Sequence, residues 1–168
     1  MSVTAKKPYN TFDIAGYIIN TCHENNISIT YNRLNIYLYF TQMQSLIETG
    51  RPMFNEDFIP AGNTVYMQTT INHWRSYLLT DIPVITKYWD VSQGLLKLKK
   101  APFKPRIQHK DKRLIDDVCK TCGTYTITQL KNIIKGHGLT NKANRRAVNT
   151  ITLKDFEQYV AELKKKVL

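Results

Sequence analysis

The stretch "TYNRLNIYLYFTQMQSLIETG", residues 30–50, predicts a long buried helix around which the rest of the chain can pack. Thr30 can accept a backbone hydrogen bond at the helix start, and Gly50 can adopt the left-handed conformation that ends a helix. Between them, apolar and small side chains recur at the three- and four-residue spacing of one helix face. That predicted face consists of Leu34, Tyr37, Leu38, Thr41, Ser45 and Ile47.

The segments on either side of this helix predict further elements in the first half of the chain. In "TFDIAGYIINTCHEN", residues 11–25, Thr11 is expected to cap a helix that ends at the Asn25-Asn26 turn. Two prolines and an Ala-Gly turn in "RPMFNEDFIPAG", residues 51–62, predict a segment that crosses the surface. A third helix is expected from about Thr64 to Leu79, while residues 82–94 suit a short helix or a strand equally. The buried face of the first helix is expected to contain Ile14, Ile18, Ile19 and Cys22.

Three more helices are predicted in the second half of the chain. Asp111 is expected to begin the first, which ends at Gly123, and Thr126 is expected to cap the second. Thr152 with Asp155 three residues later is a variant of the capping box and predicts the start of the last helix. The two predicted apolar faces are Leu114, Ile115, Val118 and Cys119, and Phe156, Tyr159, Val160 and Leu163.

Residues 95–107, "LLKLKKAPFKPRI", alternate apolar and basic side chains and contain two prolines, which favours an edge strand or an extended segment. The sequence therefore predicts a mainly α fold: a single compact helical domain, residues 1–168, of about six helices with a small extended or β element near 95–107. Residues 1–10 are expected to form a flexible N-terminus. Because no apolar run reaches the length of a membrane span, we expect a protein that stays in the cytoplasm and does not enter a membrane.

The chain carries a formal net charge of +11, and the excess lies entirely in its C-terminal half. Residues 1–90 contain six Lys or Arg and seven Asp or Glu, a net charge of −1, whereas residues 91–168 contain eighteen and six, a net charge of +12. Such asymmetry is typical of a surface that meets nucleic acid, an acidic protein or, less commonly, a membrane. A basic surface that serves solubility alone is the other interpretation.

The basic residues concentrate in two segments, 97–113 and 142–146. Phe103 lies within the first segment, and cations with an interleaved aromatic can follow a phosphate backbone and stack on a base. The same cations can dock on an acidic protein surface. The second segment forms the last five residues of "KGHGLTNKANRR", residues 135–146. The glycines of this stretch suggest either an anion-binding loop or a helix end. The candidate partner- or phosphate-binding residues are Lys97, Lys99, Lys100, Lys104, Arg106, Lys110, Lys112, Arg113, Lys142, Arg145 and Arg146.

No motif predicts catalysis, a metal or a cofactor. Cys119 and Cys122 form a C-x-x-C pair that could bind zinc with His109 and His137, but no second paired-ligand motif fixes such a site, and Cys119 falls on a predicted apolar face. The carboxylates of Asp116-Asp117 and of Glu56-Asp57 are adjacent pairs, so we expect solvated charges that do not converge on one bond. We therefore predict a protein that is not an enzyme, with no metal and no cofactor.

Two blocks of the sequence resemble the Panacea domain family, which includes SocA-like antitoxins and phage-associated GepA-type proteins. The first block runs from Phe12 to Phe58 and fits the family patterns "LYF.Q..SL" and "G.P.F.ED". The second, "DKRLIDDVCKTCGTYTITQLKNIIKGHG", is similar to a later family block, and "ITLKDFEQYV" to its closing helix. The matching positions of the first block are Ile27, Thr30, Leu34, Leu38, Tyr39, Phe40, Gln42, Ser45, Leu46, Gly50, Pro52, Phe54, Glu56 and Asp57.

The chain also departs from the family pattern. Where the family has Thr-His, this chain has Gly136-His137, and "LTNKANRR" replaces the Pro-Trp that follows. The position of His137 suggests a packing histidine, and the replaced segment adds cations to the surface. We expect the core to be shared and the binding surface to differ.

The resemblance implies a mostly helical domain that acts by binding proteins, such as an antitoxin that neutralises a toxin, in a bacterial or phage-infected cell. Our leading hypothesis is a non-enzymatic, antitoxin-like module or a phage counter-defence inhibitor, for example of the anti-CRISPR type. It would engage an acidic surface of a toxin or host defence complex through the basic C-terminal half. The alternative is a nucleic-acid-binding protein that contacts phosphates through residues 97–113 and 142–146. The oligomeric state is left open.

Overall fold

The computed structural model describes residues 7–90, 98–147 and 149–167, with the backbone alone for residues 87–90 and 98–102. The described residues form seven helices and two small antiparallel sheets, so the mainly α fold class is confirmed. The helices are α1 Thr11–Glu24, α2 Tyr31–Thr49, α3 Gln68–Trp74, α4 His109–Gly123, α5 Ile127–His137, α6 Leu139–Asn144 and α7 Leu153–Val167. The strands are β1 Ile59–Ala61, β2 Thr64–Tyr66, β3 Thr86–Asp90 and β4 Leu98–Pro102.

Helix α2 is the centre of the fold and contacts α1, α3, α4, α5, α7 and β2. The predicted ends are confirmed: the Thr30 hydroxyl accepts from Arg33 N at 3.4 Å, and Gly50 ends the helix with φ of 68°. Of the predicted face, Ile47 is only half-buried, whereas burial extends to Ile36, Tyr39 and Met43 on the other sides. A helix with neighbours around most of its circumference buries more than one stripe of side chains.

Helix α1 packs against α2 through the predicted residues Ile14, Ile18, Ile19 and Cys22, all of which are fully buried. Its cap differs from the prediction, because Asn10 and not Thr11 precedes the helix. The Asn10 side chain accepts a hydrogen bond from Phe12 N at 2.8 Å, which leaves Thr11 as the first helical residue. The helix ends at Asn25, and Asn26 follows in the left-handed region with φ of 54°, which agrees with the turn predicted at these two residues.

The prediction that residues 51–62 cross the surface holds only in part, because Met53, Phe54, Phe58 and Pro60 are buried while five of the twelve residues are exposed. The buried amide of Gln42 on α2 accepts from Met53 N at 2.8 Å and donates to Phe54 O at 2.7 Å, which draws this segment into the core. Met53, Phe54 and Phe58 are fully buried. Phe58 also exchanges two backbone hydrogen bonds with Ile151, so the segment joins the chain that precedes α7.

The helix predicted at residues 64–79 is mostly absent. Thr64–Tyr66 instead pairs with Ile59–Ala61 in an antiparallel hairpin whose turn contains Gly62 at φ of 62°. Only Gln68–Trp74 is helical, and the Glu56 carboxylate binds Thr69 N at 3.0 Å at its start. The β-branched residues of β2 favour a strand when a partner strand lies beside them, which the local pattern did not reveal.

Residues 82–94, which suited a helix or a strand, contain the strand β3. It pairs antiparallel with β4 from Thr86↔Pro102 to Asp90↔Leu98. The extended element predicted near 95–107 is therefore confirmed over Leu98–Pro102, while residues 95–97 lie outside the described residues. This hairpin holds the first part of the basic segment.

Helix α4 begins at His109, two residues before the predicted start, and its apolar face is buried as predicted. Asp111 does not cap the helix. Its carboxylate is buried, forms an ion pair with Lys7 at 3.1 Å and accepts from the Tyr9 hydroxyl at 2.6 Å. Burial and this hydrogen bond raise the pKa of Tyr9 to about 12, so the hydroxyl remains a donor. Residues 7–10 are thereby attached to α4.

The last helices follow their predicted caps. Thr126 and Gln129 form a capping box at the start of α5, and Gly138 ends that helix with φ of 77°, whereas Gly136 lies inside it. Thr152 and Asp155 form the box at the start of α7. A short helix, α6, was not predicted. In α7, Phe156 and Val160 are buried, whereas Tyr159 and Leu163 are half-buried.

The buried side chains form a core that extends from Ile14 on α1 to Val160 on α7. The prediction of one domain over residues 1–168 remains a prediction. In the N-terminus predicted to be flexible, residues 7–10 are held against α4, whereas residues 1–6 lie outside the described part. None of the helices in the described residues is long and apolar enough to cross a membrane.

Candidate partner-binding surface

The eleven candidate binding residues fall into three groups. Lys97 lies outside the described residues, and Lys99 and Lys100 lie on β4, where the backbone alone is described. Five belong to the segment from Lys104 to Arg113, and three to the segment from Lys142 to Arg146. The side chains of these last eight can be placed, and they do not all have the same environment.

Four cations of the first segment are exposed: Lys104, Arg106, Lys110 and Arg113. We call them the arm cations. The backbone that carries them is anchored to the rest of the fold, because Ile107 is buried and Gln108 N donates to the Tyr9 hydroxyl at 3.1 Å. Fixed backbone with solvated side chains presents positive charge at a defined place.

Lys112 is different from the arm cations because it is half-buried. Its Nζ lies 5.9 Å from the centroid of the Tyr17 ring on α1, within the range of a cation–π contact. The Tyr17 hydroxyl donates to Asp116 Oδ1 at 2.9 Å, so the same ring also joins α1 to α4. Lys112 therefore contributes to packing between the two helices.

Phe103, the aromatic residue among these cations, is half-buried and packs on α1. Its ring lies edge-on to Phe12 with a centroid distance of 6.0 Å. A Cβ added to Gly16 would approach Phe103 to 2.6 Å, so the ring fills the space that this glycine leaves. A ring engaged on two sides is poorly placed to stack on a nucleic-acid base.

In the second segment, Lys142 and Arg145 are exposed, and Lys142 Nζ donates to Gln158 Oε1 at 3.1 Å. Arg146 instead binds both oxygens of Asp155, at 2.7 and 2.5 Å. The hydrogen bonds from Arg146 lower the pKa of Asp155 to about 2. Arg146 thus attaches α6 to α7, and its guanidinium is already occupied.

The two basic segments attach to different parts of the fold. Helix α4, which carries part of the first, packs on α1 and α2, whereas α6 packs on α5 and β1. The two segments are therefore positioned by different helices.

The glycine-flanked His137 is a packing residue. Its Nδ1 lies 2.8 Å from the Tyr39 hydroxyl, and its ring stacks on Tyr39 and contacts Phe40 and Tyr159. Burial lowers the pKa of His137, which favours the neutral ring. The segment from Lys135 to Gly138 is therefore a helix end that packs on α2.

The three cysteines are all buried and free. A hydrogen bond with Cys22 and burial raise the pKa of the Cys119 thiol, and burial raises that of Cys122 to about 12. Redox chemistry needs a thiolate, and this environment favours thiols. Among the described residues, no three His, Cys, Asp or Glu side chains are arranged to hold a metal ion. The absence of a metal or cofactor stays a prediction.

The sequence predicted that both acidic pairs are solvated charges, but two of the four carboxylates have structural partners. Glu56 binds Thr69 at the start of α3, and Asp116 accepts from Tyr17, so each has a structural partner. Asp117 is exposed and accepts no hydrogen bond from a described residue. Sequence reasoning could not separate these carboxylates, because their partners lie on other elements.

The sequence also missed a groove of about 340 Å³ between α2, α4 and α5. Leu114 and Val118 on its wall were predicted as core residues, but Tyr125 and Ile133 are 41% and 39% exposed. The sequence signal that could have revealed the groove was the presence of large apolar side chains outside the predicted buried faces. Their exposure beside buried neighbours marks a surface that can bind another protein.

The comparisons with known proteins agree with this architecture. The family model of the antitoxin SocA-like Panacea domain matches residues 34–139, from α2 to the first residue of α6 and well over half of the chain. The chain therefore belongs to the family of antitoxin SocA-like Panacea domains, and the resemblance found in the sequence is confirmed. No curated protein and no solved structure matches the chain.

Proposed function

We propose that this antitoxin-like protein is a non-enzymatic binding module that engages an acidic surface of a protein partner through the arm cations and the neighbouring basic residues. The partner would be a toxin or, for a phage counter-defence inhibitor of the anti-CRISPR type, a host defence complex. The proposed site is the cytoplasm of a bacterial or phage-infected cell. The observation that carries the proposal is the exposure of all four arm cations on a fixed segment of a Panacea domain.

The electrostatics of this segment favour an acidic partner. Helix α4 begins at His109, and the one acidic residue of its first turn, Asp111, is paired with Lys7, so the positive end of the helix dipole adds to Lys110 and Arg113. Clustered exposed cations speed the encounter with an acidic surface and fix its orientation. Lys97, Lys99 and Lys100, which precede this segment in the sequence, and Lys142 and Arg145, which belong to the second basic segment, remain proposed binding residues.

Two charge-reversal variants test the proposal. The first replaces the four arm cations, Lys104, Arg106, Lys110 and Arg113, by Glu. The matched control replaces four exposed lysines of α7, Lys154, Lys164, Lys165 and Lys166, by Glu, so both variants change the net charge equally. The fold of each tagged variant is first checked by circular dichroism. Each folded variant is then used for affinity capture from the native host, with and without nuclease. Loss of the partner in the first variant alone is the expected result.

Equal capture by the two variants would contradict the proposal. The nucleic-acid alternative is favoured by the same exposed cations, and it predicts that nuclease removes the captured material. It also predicts that the logarithm of the DNA or RNA affinity falls linearly with the logarithm of salt concentration. The packed position of Phe103 provides no base-stacking platform, so we favour the protein partner.

A further inference from the structure

The groove between α2, α4 and α5 has a floor and a rim of different character. Met43 of α2 and Leu130 of α5 are buried at its base, 4% and 2% exposed. Tyr125, in the α4–α5 turn, and Ile133, on α5, supply exposed apolar surface at one side. Three helices thus form a trough that can take apolar side chains without a rearrangement of the core.

The charge of this groove is opposite to that of the chain. None of the described residues that line it is Lys or Arg, although the chain has 24 of them. Glu48 on α2 and Asp117 on α4 are both exposed at its edge. Glu48 accepts from Gln44 at 2.8 Å, and Asp117 accepts from no described residue. A ligand in the groove would therefore meet apolar surface and negative charge together.

We propose that this groove binds an amphipathic helix of the protein partner, whose apolar stripe is flanked by Lys or Arg. Apolar side chains of such a helix, spaced at i, i+3, i+4 and i+7, fit a trough between helices. Its cations would face Glu48 and Asp117. The chain as a whole, with net charge +11, repels a basic helix, so the groove is where charge complementarity places it. The inference rests on the proposed function only in requiring that the partner be a protein.

The test uses two synthetic helical peptides of about 18 residues, long enough to form isolated helices. Both have a Leu stripe, and their flanks carry Lys in one and Glu in the other. Binding to the full chain is measured by fluorescence anisotropy at physiological salt, which screens distant charges. The overall charge of the chain favours the Glu peptide, whereas the groove favours the Lys peptide. Tighter binding of the Lys peptide is the expected result.

Substitutions in the groove then locate the binding site. The double substitution Glu48→Gln with Asp117→Asn should weaken the Lys peptide roughly three- to tenfold, because both carboxylates are exposed. Ile133→Ser with Tyr125→Ser should weaken it by about tenfold or more, since apolar anchors dominate such grooves. These four side chains are exposed, so the fold should tolerate the changes. The arm-cation variant, which tests the proposed function, should bind the Lys peptide at least as tightly as the unchanged chain does.

Four outcomes would overturn the inference. The Lys peptide fails to bind, or it binds equally after both double substitutions, or the Glu peptide competes for the same residues with equal affinity. A dimer of the peptide-free chain that dissociates on the Ile133→Ser and Tyr125→Ser changes would assign the groove to a second copy instead. None of these results affects capture through the arm cations, so the two proposals fail separately.

Discussion

Single side chains in this protein acquire their roles from partners far away in the sequence. Arg145 and Arg146 are adjacent and chemically identical, yet the first is exposed and the second binds both oxygens of Asp155. A planar guanidinium matches a carboxylate in two hydrogen bonds and gains more than a single contact would. The composition of the basic segment therefore overstates the charge that is available to a partner.

This difference predicts unequal effects on the melting temperature for two neighbouring substitutions. Arg146→Ala should lower the melting temperature, because it removes a two-point contact between α6 and the start of α7. Arg145→Ala should leave the melting temperature nearly unchanged and serves as the matched control. Asp155→Ala, which also removes the Thr152 capping box, should cost about 0.5–2 kcal/mol of unfolding free energy. Differential scanning calorimetry and urea unfolding measure these effects.

The pH dependence gives an independent check on the same contact. Because the folded pKa of Asp155 is about 2, below its unfolded value of 3.8, the stabilisation is present above pH 3.8 and is lost as the pH falls towards 2. Arg146→Ala should flatten this acid-side loss of stability. An unchanged acid profile in Arg146→Ala would show that the ion pair does not hold Asp155 ionised.

At the scale of elements, local signals predicted where most helices begin and end. Thr30, Thr126 and Thr152 cap helices as expected, because a cap depends on residues within three positions. The strand β2 and the buried segment around Phe54 were not predicted, since each depends on a distant partner. In the segment 135–138, the two glycines could not be ranked from sequence, and only Gly138 has the left-handed backbone.

The two glycines around His137 therefore predict a contrasting pair of substitutions. Gly138→Ala should destabilise the protein by about 1–2 kcal/mol, because its φ of 77° strains a residue with a Cβ. Gly136→Ala should stabilise it by about 0.5–1 kcal/mol, since this glycine is inside α5. An added Cβ meets no atom within 4 Å at either position, so packing does not obscure the comparison. Chemical denaturation measures both, and effects of the same sign would contradict the assigned backbone.

At the scale of the whole molecule, the ion pair between Lys7 and Asp111 joins the start of the chain to α4. The two side chains are 5% and 1% exposed, and Lys7 Nζ also donates to Ser45 and Thr49 of α2. A single contact thus connects three segments. Such a pair costs free energy to bury, and removing one partner leaves the other charge uncompensated.

Lys7→Met is therefore predicted to lower the unfolding free energy by about 3–5 kcal/mol. Adding Asp111→Asn should recover part of this loss, because the double variant buries no unpaired charge. Lys110→Met, next to Asp111 but exposed, is the control and should change the unfolding free energy by less than about 0.5 kcal/mol. A double-mutant cycle in urea measures the coupling, and a coupling near zero would contradict the buried pair.

The amino-acid sequence alone determined the helical class, most helix caps, the buried faces of α1 and α4, the family resemblance and the charge asymmetry. These features depend on neighbours within a few residues or on composition. The tertiary contacts assigned what depends on distant partners: the burial of Met53 and Phe54, the pairing of Arg146, the packing of Lys112 and Phe103, and the groove of opposite charge between α2, α4 and α5. A side chain can bind a partner only if it is not already hydrogen-bonded or packed within the fold. The residues that pair with it or pack on it come from distant parts of the chain, so only the tertiary structure identifies them.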